Sequence, residues 1–173
     1  EFIERTSTLL GKDEYEKLET ALEQDSPTSI RLNARKAANH SELMGSKFLS
    51  DQIPWSSIGY YLSDRLTFTF DPLFHAGCYY VQEASSMFIE QVVRKYVDKP
   101  VIALDLCAAP GGKSTHLRSL LPDGSLLVAN EVIRNRSQIL LENLVKWGHP
   151  DIMVTNNDPS DFSSLTNFFD VIL

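Results

Sequence analysis

The sequence predicts an α/β fold in which a small N-terminal α/β region precedes a doubly wound sheet of parallel strands. Three observations support this prediction. Short apolar runs, typical of strands buried on both faces, recur along residues 101–173. Amphipathic helical patterns alternate with these runs, and glycine or proline marks the boundaries between them. We divide the chain accordingly into an N-terminal region, residues 1–74, and a second region, residues 75–173.

The N-terminal region begins with a helical pattern. Apolar side chains recur at helical spacing through residues 1–24, and we expect Gly11 to break this helix into two pieces. Residues 29–33 alternate polar and apolar side chains, which predicts a half-buried strand. Residues 34–58 give no clear pattern. Within and after this segment, residues 53–55 and 59–62 look like a loop and a short strand, and we predict a further strand at residues 66–70.

The second region alternates helices with strands. We predict helices at residues 83–96, 114–121 and 132–147, the last of them capped by Gly148. Between and after them we predict buried strands, at residues 101–104, 126–129, 152–154 and 168–173. The last strand reaches the end of the chain, and a bare apolar edge would invite association. We therefore expect further residues after Leu173.

The charge balance of the chain is acidic. Its 173 residues carry a net charge of −7, and the sequence pI is near 5.0. This total argues against an autonomous nucleic-acid binder, because such proteins usually carry a basic surplus. Basic residues nevertheless lie close together at Arg31, Arg35, Lys36 and Lys47. They could form a basic patch on one face, although a solvated polar surface is the simpler interpretation.

The cysteine content and the absence of targeting signals indicate a reduced, cytoplasmic setting. Cys78 and Cys107 are far apart and provide neither a disulfide framework nor zinc-ligand spacing. No secretory signal pattern opens the chain, and no apolar stretch is long enough to span a membrane. We therefore expect a cytoplasmic protein without a metal site.

Residues suited to bind an adenosine follow three successive predicted strands. The first strand ends at Asp105, and a tight loop of small residues leads from there into a helix, whose first N–H groups are free for a ligand. Glu131 follows the second strand, at about the twenty-residue spacing that brings a carboxylate to a ribose in nucleotide-binding sheets. Asn156-Asn157-Asp158 follows the third strand, where an oxygen can accept a hydrogen bond from an adenine amino group.

The loop does not match the common phosphate-binding patterns. The dinucleotide pattern Gly-x-Gly-x-x-Gly is absent. Gly112-Lys113-Ser114 fits the end of a nucleoside-triphosphate loop, but Cys107 stands where that loop needs its first glycine. Glu131 and Asp158 would also repel a phosphate chain. An adenosine ligand without phosphates therefore fits better, and a nucleoside triphosphatase stays open as an alternative.

Residues 105–114, with the sequence Asp-Leu-Cys-Ala-Ala-Pro-Gly-Gly-Lys-Ser, closely resemble the cofactor motif of a known family. This is the Sun/nucleolar-protein family of RNA 5-methylcytosine methyltransferases. Pro-Thr-Ser-Ile-Arg-Leu-Asn at residues 27–33 and His-Ala-Gly-Cys-Tyr-Tyr-Val-Gln-Glu-Ala-Ser-Ser-Met at residues 75–87 are similar to its bacterial branch, the ribosomal RNA methyltransferase F type. The resemblance covers nearly the whole chain.

The resemblance implies a Rossmann-like domain that uses S-adenosyl-L-methionine to methylate carbon 5 of cytosine in RNA, with ribosomal RNA as the partner. The domain would be incomplete at its C-terminus, and the N-terminal region would be a candidate RNA contact. Glu131 would hold the ribose and Asp158 would lie by the adenine, with Arg136 in support. The methionine end of the cofactor would be wrapped by Cys107, Ala108, Ala109, Pro110, Gly111, Gly112 and Lys113.

The same resemblance implies that no catalytic residue lies within this chain. In the family an acid and a Pro-Cys pair follow the fourth strand, and the nucleophilic cysteine follows the fifth. The chain stops before both, so we expect it to be inactive alone. Cys107 as a nucleophile is an alternative, but a small residue packing under the cofactor is favoured. A non-catalytic adenosine-binding or RNA-binding module of the same fold is a second alternative.

Several other residues invite a functional interpretation that we do not favour. We expect Cys78 to be a core residue and Asp105 to organise the loop by accepting hydrogen bonds. We expect Tyr80, with its neighbour Tyr79, to pack under the loop rather than to stack on RNA bases. His116 and His75 are not expected to be catalytic. Gly111 and Gly112 should include at least one position of positive φ or of close approach, since small residues let the loop backbone come close to a ligand.

Overall fold

The computed structural model describes residues 1–37, 48–64 and 66–173, and these residues form two sheets with helices around them. The chain opens with α1 (Phe2–Leu10) and α2 (Lys12–Leu22), separated by Gly11 at a φ of 78°. The predicted break at Gly11 is therefore confirmed. No residue of α1 or α2, both described in full, is buried.

The first sheet is antiparallel, with the strand order β2–β3–β1–β4. Its strands are β1 (Ser29–Leu32), β2 (Leu49–Gln52), β3 (Gly59–Leu62) and β4 (Tyr79–Val81). A short helix, α3 (Ala34–Ala37), follows β1. The core on this sheet contains Ile30, Leu32, Leu62, Cys78 and Tyr79. Cys78 is thus a core residue, as expected.

Strand β1 differs from the prediction in its burial. The alternating pattern predicted a half-buried strand, but all four residues of β1 are buried, including the arginine Arg31 with none of its surface exposed. The polar face of β1 packs against the second region rather than against water. Lys47, which belonged to the suggested basic patch, lies outside the described residues.

The strand predicted at residues 66–70 was wrong. Phe68–Phe70 is a 3₁₀ turn, and α4 (Pro72–His75) follows it. Asp71 caps this helix by accepting a hydrogen bond from the backbone N–H of Leu73 at 2.9 Å, and a proline at the first helical position favours the same start. The ring of Phe68 packs 6.2 Å from the ring of Tyr79 instead of alternating across a sheet.

Strand β4 was not predicted from the sequence. It pairs with β1, and Arg31 and Tyr80 are partners in that pairing. The first sheet therefore extends past residue 74, where we divided the chain. The division itself stays a prediction.

The second sheet is parallel, as predicted, with the strand order β7–β6–β5–β8. Its strands are β5 (Ile102–Asp105), β6 (Leu126–Asn130), β7 (Ile152–Thr155) and β8 (Val171–Ile172). A 3₁₀ turn, Ser85–Phe88, leads into the helices of this region, which are α5 (Ile89–Tyr96), α6 (Gly112–Leu120) and α7 (Arg134–Trp147). Gly148 ends α7 in the left-handed conformation, as predicted.

The strand order changes direction next to β5. The chain adds β6 and β7 on one side of β5 and then returns to place β8 on the other side. In open α/β sheets such a switch point forms a crevice at the carboxyl ends of the strands, and ligands bind there. The loop after β5 therefore lies at the expected position of the site. Among the described residues, no helix is long and apolar enough to cross a membrane.

Candidate cofactor-binding site

The loop between β5 and α6 is organised from below by Asp105. This carboxylate is only 3% exposed and accepts a hydrogen bond from the hydroxyl of Ser114, the third residue of α6, at 2.7 Å. Burial raises the pKa of Asp105, while the bonds from Ser114 and from the backbone N–H of Cys107 act in the opposite direction. Asp105 thus ties the strand end to the helix start, as expected for a loop organiser.

The backbone of the loop requires glycine at Gly111. Its φ is 107°, in the left-handed region, and a Cβ there would lie 3.3 Å from Cδ1 of Leu140 on α7. Gly112 has an ordinary helical φ, but a Cβ there would lie 3.3 Å from the ring of Tyr80. The expectation of at least one positive φ in the pair is therefore confirmed at Gly111. The side chains that leave little room for a Cβ belong to α7, in the case of Leu140, and to the first sheet, in the case of Tyr80.

Glu131 is buried directly after β6. Its side chain is 3% exposed, and its Oε1 accepts a hydrogen bond from the backbone N–H of Ile133 at 3.0 Å. Oε2 lies 3.6 Å from Nη1 of Arg136, while Nη2 of the same arginine donates to the carbonyl oxygen of Ala109 at 2.9 Å. Arg136 therefore joins the end of β6 to the loop after β5.

Asn130 organises the site from the centre and was missed by the sequence analysis. It is fully buried, and its amide nitrogen donates to the carbonyl oxygens of Leu106 at 3.2 Å and Asn157 at 3.0 Å. Its amide oxygen accepts from the hydroxyl of Thr155 at 2.9 Å and from the backbone N–H of Asn157 at 3.0 Å. One side chain thus connects three neighbouring strand ends. The one sequence feature that could have indicated this role is an amide side chain directly after the apolar residues 126–129.

Asp158, after β7, is exposed, and its side chain accepts hydrogen bonds from Ser160, two residues further along the chain. Its Oδ1 accepts from the backbone N–H of Ser160 at 2.9 Å and from the Ser160 hydroxyl at 2.6 Å, which caps the 3₁₀ turn Pro159–Ser164. These bonds lower the pKa of Asp158. Its contact with an adenine stays a prediction.

The remaining residues singled out from the sequence lie around or outside this edge. Cys107 is exposed on the loop, and Lys113 is exposed in the first turn of α6. Tyr80 packs under the loop, where its hydroxyl donates to the carbonyl oxygen of Pro110 at 3.2 Å. His116 is fully buried, and its Nε2 lies 3.2 Å from the carboxylate of Glu90. His116 therefore belongs to the packing between α5 and α6 and not to the loop.

The fold and this edge of the sheet place the chain in the class of Rossmann-like methyltransferases that use S-adenosyl-L-methionine. Family models bear this out and identify the family. The N-terminal domain of 16S rRNA methyltransferase RsmF matches residues 1–84, and 16S rRNA methyltransferase RsmB/F matches residues 94–173. The chain belongs to the RsmB/F methyltransferase family, which confirms the resemblance seen in the loop.

Curated relatives agree with this assignment. The chain is 32% identical to ribosomal RNA small subunit methyltransferase F of Pectobacterium atrosepticum, over 84% of this chain and 32% of the relative. It is 29% identical to the protein of the same name from Erwinia tasmaniensis, over 99% of this chain and 38% of the relative. The chain therefore spans about a third of the length of the curated relatives it matches.

Solved structures share the fold of the whole chain. A methyltransferase homolog protein from Pyrococcus horikoshii has a TM-score of 0.78 at 24% identity, covering 98% of this chain and 61% of that one. NSun6 from Pyrococcus horikoshii with SFG has a TM-score of 0.75 at 17% identity, covering 100% of this chain and 69% of that one. Both likenesses support the arrangement of the two sheets described above.

Proposed function

We propose that the chain carries the cofactor-binding residues of a cytoplasmic enzyme that methylates carbon 5 of cytosine in RNA. The substrate is ribosomal RNA of the small subunit, and the methyl donor is S-adenosyl-L-methionine. The division into residues 1–74 and 75–173 is part of this proposal, with the N-terminal region contacting RNA. The observation that carries the proposal is the edge where Asn130 and Arg136 join the loop after β5 to Glu131.

The chemistry of this edge suits an adenosine that carries an amino acid. A carboxylate offers about four lone-pair sites. Glu131 accepts one hydrogen bond, from the N–H of Ile133, and its other oxygen forms an ion pair with Arg136 at 3.6 Å. It keeps the capacity to accept from ribose hydroxyls. The first N–H groups of α6 suit the carboxylate of the methionine end, and Lys113 adds a positive charge beside them. Asp158 is assigned to the adenine.

The cofactor supplies an electrophilic methyl group, and the residues of this chain bind and orient the cofactor. Carbon 5 of cytosine is a poor nucleophile until a thiolate adds to carbon 6, so the reaction needs an activated cysteine beside the base. Cys107 lies on the loop that is assigned to the methionine end, which is poorly placed to attack a base approaching from the methyl side. The nucleophile is therefore assigned to the cysteine that the family places after the fifth strand of the parallel sheet.

Titration calorimetry of the chain tests the cofactor assignment. S-adenosylhomocysteine should bind, whereas ATP with magnesium should not. The reverse result would favour a nucleoside triphosphatase and would contradict the proposal.

Methyl transfer from tritiated S-adenosylmethionine to ribosomal RNA tests the reaction, using the natural full-length protein and its Cys107→Ala variant. Both should label carbon 5 of cytosine. Loss of transfer in Cys107→Ala with unchanged cofactor affinity would instead make Cys107 the nucleophile.

A further inference from the structure

Arg31 reaches from the first sheet to the start of α6. It lies on β1 with none of its surface exposed, and its Nε donates to the side-chain oxygen of Gln82 at 2.8 Å. Its Nη2 donates to the hydroxyl of Thr115 at 2.6 Å and to the carbonyl oxygen of Gly112 at 3.2 Å. A side chain more than 80 residues away in sequence thus holds the first turn of the helix that follows the loop.

The surroundings of Arg31 are costly for a cation. Among the described residues its hydrogen-bond partners are neutral, and its guanidinium lies 4.3 Å from the ring centroid of Trp147. Burial lowers the pKa of Arg31 to about 9. A buried charge without a carboxylate partner is a poor source of stability. The geometry of its three hydrogen bonds instead favours a role in orienting the groups that Arg31 contacts.

Tyr80 holds the same loop from the neighbouring strand. Arg31 and Tyr80 are partners across β1 and β4. The Tyr80 hydroxyl donates to the carbonyl oxygen of Pro110 at 3.2 Å, and its ring lies so close to Gly112 that a Cβ there would be 3.3 Å from it. Two adjacent side chains of the first sheet therefore fix the loop on both sides of Gly111.

Fixing a carbonyl also fixes the N–H at the other end of the same peptide bond, because the peptide unit is planar. The carbonyl of Gly112 points at Arg31, so the N–H of Lys113 in the same peptide unit points the opposite way, away from the first sheet. This is one of the N–H groups at the start of α6 that the proposed function assigns to the methionine end of the cofactor.

We propose that Arg31 and Tyr80 are positioning residues for cofactor binding, with Arg31 contributing more. They act through the peptide groups of Pro110 and Gly112, so their effect falls on the methionine end of the ligand. This inference rests on the proposed function, since it takes the loop as the methionine-binding loop. It makes the N-terminal region part of the cofactor site.

The test compares two ligands and two buried arginines by titration calorimetry on the chain. The ligands are S-adenosylhomocysteine and methylthioadenosine, which is a similar nucleoside without the amino-acid end. Arg31→Met should lower the affinity for S-adenosylhomocysteine about tenfold or more, as expected for losing a charged hydrogen-bond donor. It should lower the affinity for methylthioadenosine less than about twofold, because that ligand does not reach the loop.

Arg118→Met is the matched control. Arg118 is 1% exposed and donates to carbonyl oxygens at the other end of α6, including that of Ser125 at 2.8 Å. Its loss also removes a buried guanidinium that bonds at the end of α6, yet should leave the affinity of the folded protein for both ligands unchanged. A change in S-adenosylhomocysteine affinity as large as that of Arg31→Met would show a general loss of packing and overturn the inference.

Variants at Thr115 keep the test decisive if Arg31→Met does not fold. Thr115→Val removes the hydroxyl that accepts a hydrogen bond from Arg31 and should lower the affinity for S-adenosylhomocysteine but not that for methylthioadenosine. Thr115→Ser keeps a hydroxyl and should bind both ligands like the parent. Parental affinity in Thr115→Val, or equal weakening of both ligands, overturns the inference and leaves the proposed function intact. A parent chain that does not bind S-adenosylhomocysteine contradicts both.

Discussion

The loop after β5 and the segment after β7 lie at the same edge of the parallel sheet, but different contacts hold them. The loop is fixed from behind by buried side chains of other elements, namely Asp105, Asn130 and Arg31. Asp158 after β7 is exposed and is fixed only by its neighbour Ser160. The proposed methionine and ribose contacts are therefore built into the core, whereas the proposed adenine contact is a surface feature.

The largest expected effect comes from straining the loop at Gly111. Gly111→Val should reduce S-adenosylhomocysteine affinity by more than about a hundredfold, because a branched residue at positive φ must shift the backbone. Gly124→Val is the control, since Gly124 has a φ of 86° but its missing Cβ faces only Pro100 at 3.7 Å. Calorimetry should find parental affinity in the control; equal losses in both variants would contradict a local role for the loop.

Asn130→Leu should separate the loop from the neighbouring strand ends. It removes the buried Asn130 amide, leaves the carbonyls of Leu106 and Asn157 without this partner, and should lower the free energy of unfolding by about 3 kcal/mol, with weaker cofactor binding. Asn156→Ala removes an amide that donates to the backbone carbonyls of Glu131 at 2.5 Å and Val132 at 2.9 Å. It should cost less, because Asn156 is exposed and water can replace these bonds. Urea denaturation measures both, and a larger loss in Asn156→Ala would contradict the central role of Asn130.

Glu131→Ala should cost about 1–3 kcal/mol of cofactor affinity, because ribose hydroxyls would be buried without a partner. Glu131→Gln should cost less, since its amide oxygen can still accept a hydrogen bond. Calorimetry with S-adenosylhomocysteine provides the measurement. Parental affinity in Glu131→Ala would reject the ribose assignment.

Asp158→Ala should have the smallest effect of the series. The side chain is exposed, so water can replace much of what it contributes to the ligand. Asp158→Asn keeps an oxygen that can accept from an adenine amino group and should bind like the parent. The same calorimetric titration would contradict the comparison if Asp158→Ala lost more affinity than Glu131→Ala.

Local patterns predicted the parts of the fold that depend on local sequence. Strands β5 and β6 are apolar runs that are almost entirely buried, whereas β7 has the predicted position but is only partly buried, with Met153 exposed. The end of α7 at Gly148 follows from the freedom of glycine to adopt a positive φ. The three-residue strand β4 was missed because it is short and its partner β1 lies about 50 residues earlier. The error at residues 66–70 arose because capping by Asp71 outweighed an alternating pattern.

In the site too, features set by local sequence were predicted and features set by distant contacts were not. The positions of Glu131 and of the loop followed from where strands end, but the residues that hold them in place could not be predicted in this way. The role of Asn130 depends on three strand ends meeting around one amide. The role of Arg31 depends on the packing of the first sheet against α6, which no spacing within the sequence encodes.

The contact between Gly112 and the ring of Tyr80 has an evolutionary consequence. A Cβ at residue 112 would lie 3.3 Å from that ring, so alanine there calls for a smaller or displaced side chain at residue 80. Substitutions at these two positions should therefore covary among relatives. Replacing the first sheet by an unrelated domain during evolution would also remove the close fit between the ring of Tyr80 and Gly112.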